Sequence, residues 1–183
     1  MISCIDNFLD QDDFIKVKDL ITSPMFSWHF SQILNDEDKE ISTQVDNKKV
    51  KEKIKQSFCQ SNFNYQFVHL FYYNNIPTCT YFQNYIEPIY NLLKGKALIK
   101  IKANLTSQTT DHILSGFHVD AFEDNYTSIF YINTNNGYTE FLDGTKIESI
   151  ENRMLTFRGN CYHSGVSSTD QPARIVLNFN YFK

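Results

Sequence analysis

Glycine and proline are scarce, 6 and 4 in 183 residues, which argues against a disordered or low-complexity chain. A basic excess is also missing. The formal net charge is -4, so the electrostatic footprint of non-specific nucleic-acid binding is absent, although a local basic groove stays open. The four cysteines, Cys4, Cys59, Cys79 and Cys161, include no CxxC pair, which argues against a zinc knuckle. Their wide spacing in a chain of this size does not read as a disulfide scaffold. No apolar run approaches the length of a membrane span. The start, MISCIDNFLDQDD, is acidic where a signal peptide would be basic and then apolar. A soluble, reduced, cytoplasmic protein is expected.

Aromatic residues, by contrast, are abundant, with 16 Phe and 11 Tyr. The length fits one domain over 1–183, divided into a helical and mixed part, 1–96, and a core, 97–183. Asp10 is placed to cap a helix carrying Phe14, Val17, Leu20 and Ile21 on one face, with Pro24 beyond its end. Residues 25–30, MFSWHF, read as a short strand. The charged segment 35–53 reads as a solvated excursion, with a mobile lid as the alternative. Residues 65–73, YQFVHLFYY, read as a strand with His69 in the core. Ile86, Ile89, Tyr90 and Leu93 share a helical face that Gly95 ends.

Beyond Gly95 the apolar period changes to two. Strands are expected at 97–105, 126–133, 138–142, 153–159 and 174–182, with turns at 133–137, 143–145 and 159–160. Helices first and strands after indicate an α+β chain whose C-terminal part is a β-sandwich or barrel.

Within this β region lies GFHVDAF, 116–122. In a strand, His118 and Asp120 project from the same side. Such a pair is half of a metal site or a surface hydrogen bond. His163 follows in RGNCYHSG, and Arg174 starts the last strand. Two imidazoles and one carboxylate on a rigid scaffold form a facial triad, which leaves coordination positions open and suits non-haem Fe(II) oxygen chemistry.

His118-x-Asp120, then His163, then Arg174, resembles the signature of the 2-oxoglutarate- and Fe(II)-dependent dioxygenases, over roughly residues 97–183. SIFYIN, NGYTEFLDG, NRMLTFRGNCYHSG and RIVLNFNYF resemble successive strands of the prolyl-hydroxylase-like branch, which has phage and bacterial members. The resemblance implies a double-stranded β-helix (jelly roll) with N-terminal helices packed on its major sheet. It implies Fe(II) held by His118, Asp120 and His163, and 2-oxoglutarate chelating that iron through its 1-carboxylate and keto oxygens. It further implies O2 as oxidant, decarboxylation to succinate and carbon dioxide, hydrogen abstraction from a substrate, and ascorbate as a stimulant. By the same resemblance Arg174 pairs with the 5-carboxylate, joined by Tyr131, and Asn104 or Thr106 stands near the 1-carboxylate. Asn178 shares a strand face with Arg174, while Ser167 and Ser168 read as loop residues.

Members of this family that halogenate lack the carboxylate ligand. Asp120 is present, which favours hydroxylation. Members that repair nucleic acid carry a second arginine in the closing strand, and RIVLNFNYF has none. A small molecule, an amino acid or a peptide all fit as substrate. A non-catalytic cupin-like binding domain and a zinc hydrolase are the competing readings. The first has no need of the complete triad with Arg174, and the second leaves Arg174 unexplained.

Overall fold

A computed structural model describes residues 2–33, 48–59, 65–120 and 124–183. Helix α1 spans Gln11–Thr22. The Asp10 carboxylate accepts from the Asp13 amide at 3.0 Å, filling one of the unpaired donors at the helix start. Phe14, Val17 and Ile21 form its buried stripe. The expected strand at 25–30 begins later. The Phe26 amide donates to the Ser23 carbonyl at 3.0 Å, a turn that drives Phe26 into the core. Strands β1 and β2 are Ser3–Ile5 and His29–Gln32.

Of the charged segment 35–53, residues 35–47 lie outside the described residues. The remainder is not a solvated loop but the start of helix α2, Lys48–Cys59. The apolar signal is sparse, with Ile54 and Ser57 buried among lysines. Ser57 Oγ accepts from the Phe117 amide at 3.0 Å, so this helix docks directly before His118.

Strands β3 and β4 are Tyr65–Tyr73 and Ile76–Pro77. A π-turn, Phe82–Ile86, leads into helix α3, Glu87–Leu93. The left-handed residue that ends α3 is Lys94, at φ 55°, not Gly95. Gly95 is required for space, since a Cβ there would sit 2.7 Å from the rings of Tyr90 and Tyr181.

The remaining strands are β5 Ala97–Ser107, β6 Tyr126–Tyr131, β7 Asn135–Phe141, β8 Lys146–Ser149, β9 Met154–Arg158, β10 His163–Val166 and β11 Ala173–Phe182. The predicted turn at 133–137 is shorter than expected. Asn135 already pairs with Ser149, and the register shifts before Tyr138. The large antiparallel sheet runs β1-β9-β6-β11-β5-β3-β2, with β4 paired to β3, and a small sheet runs β10-β7-β8. These are the two sheets of a jelly roll.

Because side chains alternate along a strand, the large sheet has two distinct faces. Ile101, Ala103, Leu177, Phe179 and Tyr181 lie on one, in a cluster that includes Phe14, Val17, Ile21, Ile86, Ile89 and Leu93. The Phe14 ring meets Phe130 edge-on at 6.1 Å. The opposite face turns inward between the sheets, where Ile129, Tyr131, Phe141, Leu155, Phe157 and Val176 form a second cluster. Arg174, Asn178 and Asn180 alternate onto that inner face of β11.

Candidate metal and co-substrate site

The two histidines of the triad meet through their backbones. The His118 amide donates to the His163 carbonyl at 3.0 Å, and the His163 amide returns the bond at 3.0 Å. Leu114 and Val166 form a further bridge, so 114–118 continues the small sheet beyond β10. The imidazole centroids lie 4.7 Å apart. The Asp120 amide then donates to the Gly159 carbonyl at 3.2 Å. Gly159 lacks a Cβ because the Asn125 side chain occupies that space.

Each imidazole is fixed in one tautomer. His118 Nδ1 lies 3.1 Å from the Gly116 carbonyl and His163 Nδ1 lies 3.0 Å from the Cys161 carbonyl. A carbonyl only accepts, so Nδ1 carries the proton and Nε2 presents its lone pair. The Nε2 atoms lie 3.9 Å and 3.8 Å from the Asp120 carboxylate. The three groups offer ligand atoms that all lie within 4.8 Å of one another.

Asp120 is held from behind. Its Oδ2 accepts from Thr127 Oγ1 at 2.8 Å, Asn180 Nδ2 at 3.0 Å and Asn178 Nδ2 at 3.3 Å. Burial alone raises the pKa of this carboxyl. The His163 and His118 imidazoles, the Thr127 hydroxyl and Lys100 outweigh burial and hold it well below the usual carboxylate range. Burial, helped by His118, pulls the His163 pKa down to about 4. A deprotonated carboxylate beside a neutral imidazole is the state that binds a cation. Two imidazole nitrogens and one carboxylate, with outer hydrogen bonds already made, fit a divalent iron and leave room for further ligands.

Arg174 is 5% exposed. Its Nε donates to Ser149 Oγ and its Nη2 to Thr139 Oγ1, each at 3.0 Å. Among the described residues no carboxylate pairs with it. The surrounding backbone makes room for it: a Cβ at Gly137 would fall 2.9 Å from Arg174 Cδ. Among the described residues the enclosed guanidinium is met by hydroxyls alone, and since an unpaired buried charge is costly it could hold an anion.

Tyr131 is fully buried beside this arginine, whose Cζ lies 5.6 Å from the ring centroid. Its hydroxyl and that of Thr139 are 2.8 Å apart. Asn104 pairs across the sheet with Val176 on the inner face, and its Oδ1 is buried without a hydrogen bond among the described residues. Thr106 pairs with Arg174. Asn178 faces Asp120 rather than Arg174. Ser167 bonds Thr109 and the Ile113 amide, and Ser168 closes the turn to Gln171, both loop-building roles. Sequence reasoning missed Thr127, Asn180, Thr139 and Ser149. Thr127 and Asn180 were legible only as inward positions of predicted strands.

No family model matches the chain, and no curated protein matches it. Solved structures do. A prolyl hydroxylase from Trichoplax adhaerens, in complex with a hypoxia inducible factor oxygen degradation domain peptide fragment, aligns at TM-score 0.61 and 13% identity, over 99% of this chain and 83% of that one. The non-heme alpha ketoglutarate dependent epimerase SnoN from nogalamycin biosynthesis aligns at 0.60 and 9%, over 100% and 78%. A Pseudomonas putida prolyl-4-hydroxylase aligns at 0.53 and 10%, over 100% and 92%. The chain has the fold of the prolyl hydroxylases and their 2-oxoglutarate- and iron-dependent relatives.

Proposed function

We propose that the chain is a non-haem Fe(II)- and 2-oxoglutarate-dependent dioxygenase of the prolyl-hydroxylase-like type, acting as a hydroxylase in the cytoplasm. The single observation that carries this reading is Arg174. Its buried cation has no described counter-ion and shares the barrel interior with the His118, Asp120 and His163 donors. The zinc hydrolase and the inert binding domain both leave that arginine without a task.

In this reading the whole chain is one oxygenase domain, with residues 97–183 carrying both sites and the N-terminal helices backing the major sheet. His118, Asp120 and His163 hold iron. Thr127, Asn178 and Asn180 keep Asp120 ionised and oriented. Arg174, with Tyr131 and Thr139, receives the 5-carboxylate of 2-oxoglutarate through paired donors. Asn104 stands toward the co-substrate's other end, where its side-chain amide N–H can donate to the 1-carboxylate. When bound, iron would let O2 act as the oxidant of the substrate, with 2-oxoglutarate supplying two electrons as it is converted to succinate and carbon dioxide. Phe141, Phe157 and Val176 form an apolar patch on the same inner face.

The fold also hosts an epimerase, so fold alone does not fix the reaction. The carboxylate ligand Asp120 supports hydroxylation over halogenation. The Trichoplax structure holds a peptide, which supports a peptide, amino acid or related small molecule as substrate. The test is succinate formation with Fe(II) and 2-oxoglutarate. Turnover that needs both is expected, and turnover that survives without 2-oxoglutarate overturns the reading.

A further inference from the structure

β5 carries two lysines on the wrong side for solvent. Ile101 and Ala103 belong to the outer core, so Lys100 and Lys102 alternate onto the inner face with Asn104. Lys100 pairs across the sheet with Asn180, and Lys102 with Asn178. Those are the two asparagines whose amides donate to Asp120 Oδ2. The lysines therefore flank the metal ligand on the side opposite the small sheet.

Asp120 attracts both lysines but ion-pairs with neither. Its Oδ2 is filled by Thr127, Asn178 and Asn180, and its ion-pair contacts are to the two imidazoles. Among the described residues no carboxylate lies within ion-pair distance of Lys100 or Lys102. Burial, reinforced by Lys100 and only partly offset by Asp120, lowers the pKa of Lys102. A chain of net charge -4 has acidic groups to spare, yet among the described residues none but Asp120, whose Oδ2 is already bonded, acts on Lys102. Two cations facing a chamber that already holds a third, Arg174, call for an anion from outside.

We infer that Lys100 and Lys102 form the recognition site for an anionic group, a carboxylate or a phosphate, on the primary substrate. This rests on the oxygenase reading, which gives the 5-carboxylate of 2-oxoglutarate to Arg174 and leaves the lysines for the molecule to be oxidised. An acidic substrate anchored there is held beside the iron ligands, with its reacting carbon presented to them. Ammonium groups suit this task, since as mobile point charges they accept either anion geometry.

The experiment is calorimetric titration of inorganic phosphate, and separately of acetate, into the chain loaded with Fe(II) and 2-oxoglutarate without oxygen. One saturable site is expected for at least one of the two. Lys102→Met and Lys100→Met, which keep the aliphatic stem, should each weaken it by about tenfold, the loss of one charge-assisted bond. Fe(II) content in Lys102→Met, and the 2-oxoglutarate affinity of both iron-loaded variants, read from the charge-transfer absorbance, should hold. Tighter phosphate binding marks a phosphorylated substrate, and tighter acetate binding a carboxylated one. No saturable site for either anion, or affinity unchanged in both variants, overturns the inference. So does a loss of 2-oxoglutarate affinity with anion binding intact, which would assign the lysines to the co-substrate. A chain that binds the anion through these lysines but never forms the charge-transfer absorbance loses the oxygenase reading and keeps the anion site.

Discussion

His118 and His163 are bound to each other through both backbone hydrogen bonds, each 3.0 Å long, although they lie in different parts of the sequence. The metal site is thereby built into the small sheet. The two imidazoles leave adjacent strands on one side, and Asp120 is set against Gly159 two residues later. Separation of the ligands requires breaking a ladder and not merely turning a side chain.

One Fe(II) per chain is therefore expected. His118→Ala should lower Fe(II) affinity by more than about 100-fold, beyond the range for outer hydrogen-bond partners. Metal competition titration measures this, and an unchanged affinity would show that His118 is not a ligand.

Arg174→Ala should leave iron bound and weaken 2-oxoglutarate by about 2–5 kcal/mol, the range for removing one side of a buried charge pair. Arg174→Lys should restore only part of the loss, because ammonium does not reproduce the paired geometry. Anaerobic titration followed by the charge-transfer absorbance reads both variants.

Asn180→Ala removes the 3.0 Å bond to Asp120 Oδ2. Iron affinity should drop by about tenfold, as for other partners that orient a ligand. The affinity for 2-oxoglutarate of the iron-saturated protein should stay within about twofold, since sites without shared partners act independently.

Gly137→Ala places a Cβ 2.8 Å from the Val166 carbonyl and 2.9 Å from Arg174 Cδ. Backbone and guanidinium must both shift. The variant should lose 2-oxoglutarate affinity while keeping its iron, and isothermal titration of each ligand separates the two effects.

Two buried imidazoles make the metal-free chain acid-sensitive. His69 sits in an aromatic nest, 4.4 Å from the Phe26 ring and 4.7 Å from Phe71, and burial lowers its pKa. His163 falls from 6.5 to about 4. Both hold a proton more weakly folded than unfolded. Their stabilising contribution is complete above pH 6.5 and is lost as pH falls toward the folded values, with His163 accounting for about 3 kcal/mol. Urea unfolding between pH 7 and 4 should show this loss, and His163→Gln should flatten most of it.

The chemistry-bearing residues were legible in the sequence from their local spacing, although the structure puts His118 in an isolated bridge and Asp120 in a bend, where a strand was expected. His118 and Asp120 two apart, and Arg174 at the start of an apolar run, declare their faces without knowledge of partners. Thr127 and Asn180 do not, since their meaning is a contact with Asp120, which Asn180 approaches from 60 residues away. β10, reading HSGV, is too short and too polar to announce itself, and its pairing with β7 makes it a strand. The start of α2 was hidden by its lysines, because one fully buried residue, Ile54, suffices to seat it. The stop at Lys94 was read as Gly95 because glycine signals either a left-handed backbone or a lack of room, and here it means the second.

β11 carries the buried Arg174 cation at one end and the amides that hold Asp120 further along. From Arg174 to Asn178 is four residues, about 13 Å of extended strand. An extended strand paired on both sides scarcely stretches, so it serves as a ruler. If Arg174 takes the 5-carboxylate as proposed, a keto acid one carbon shorter than 2-oxoglutarate would have to let go of either the guanidinium or the iron, and one carbon longer would have to buckle. The strand would then select its co-substrate by length.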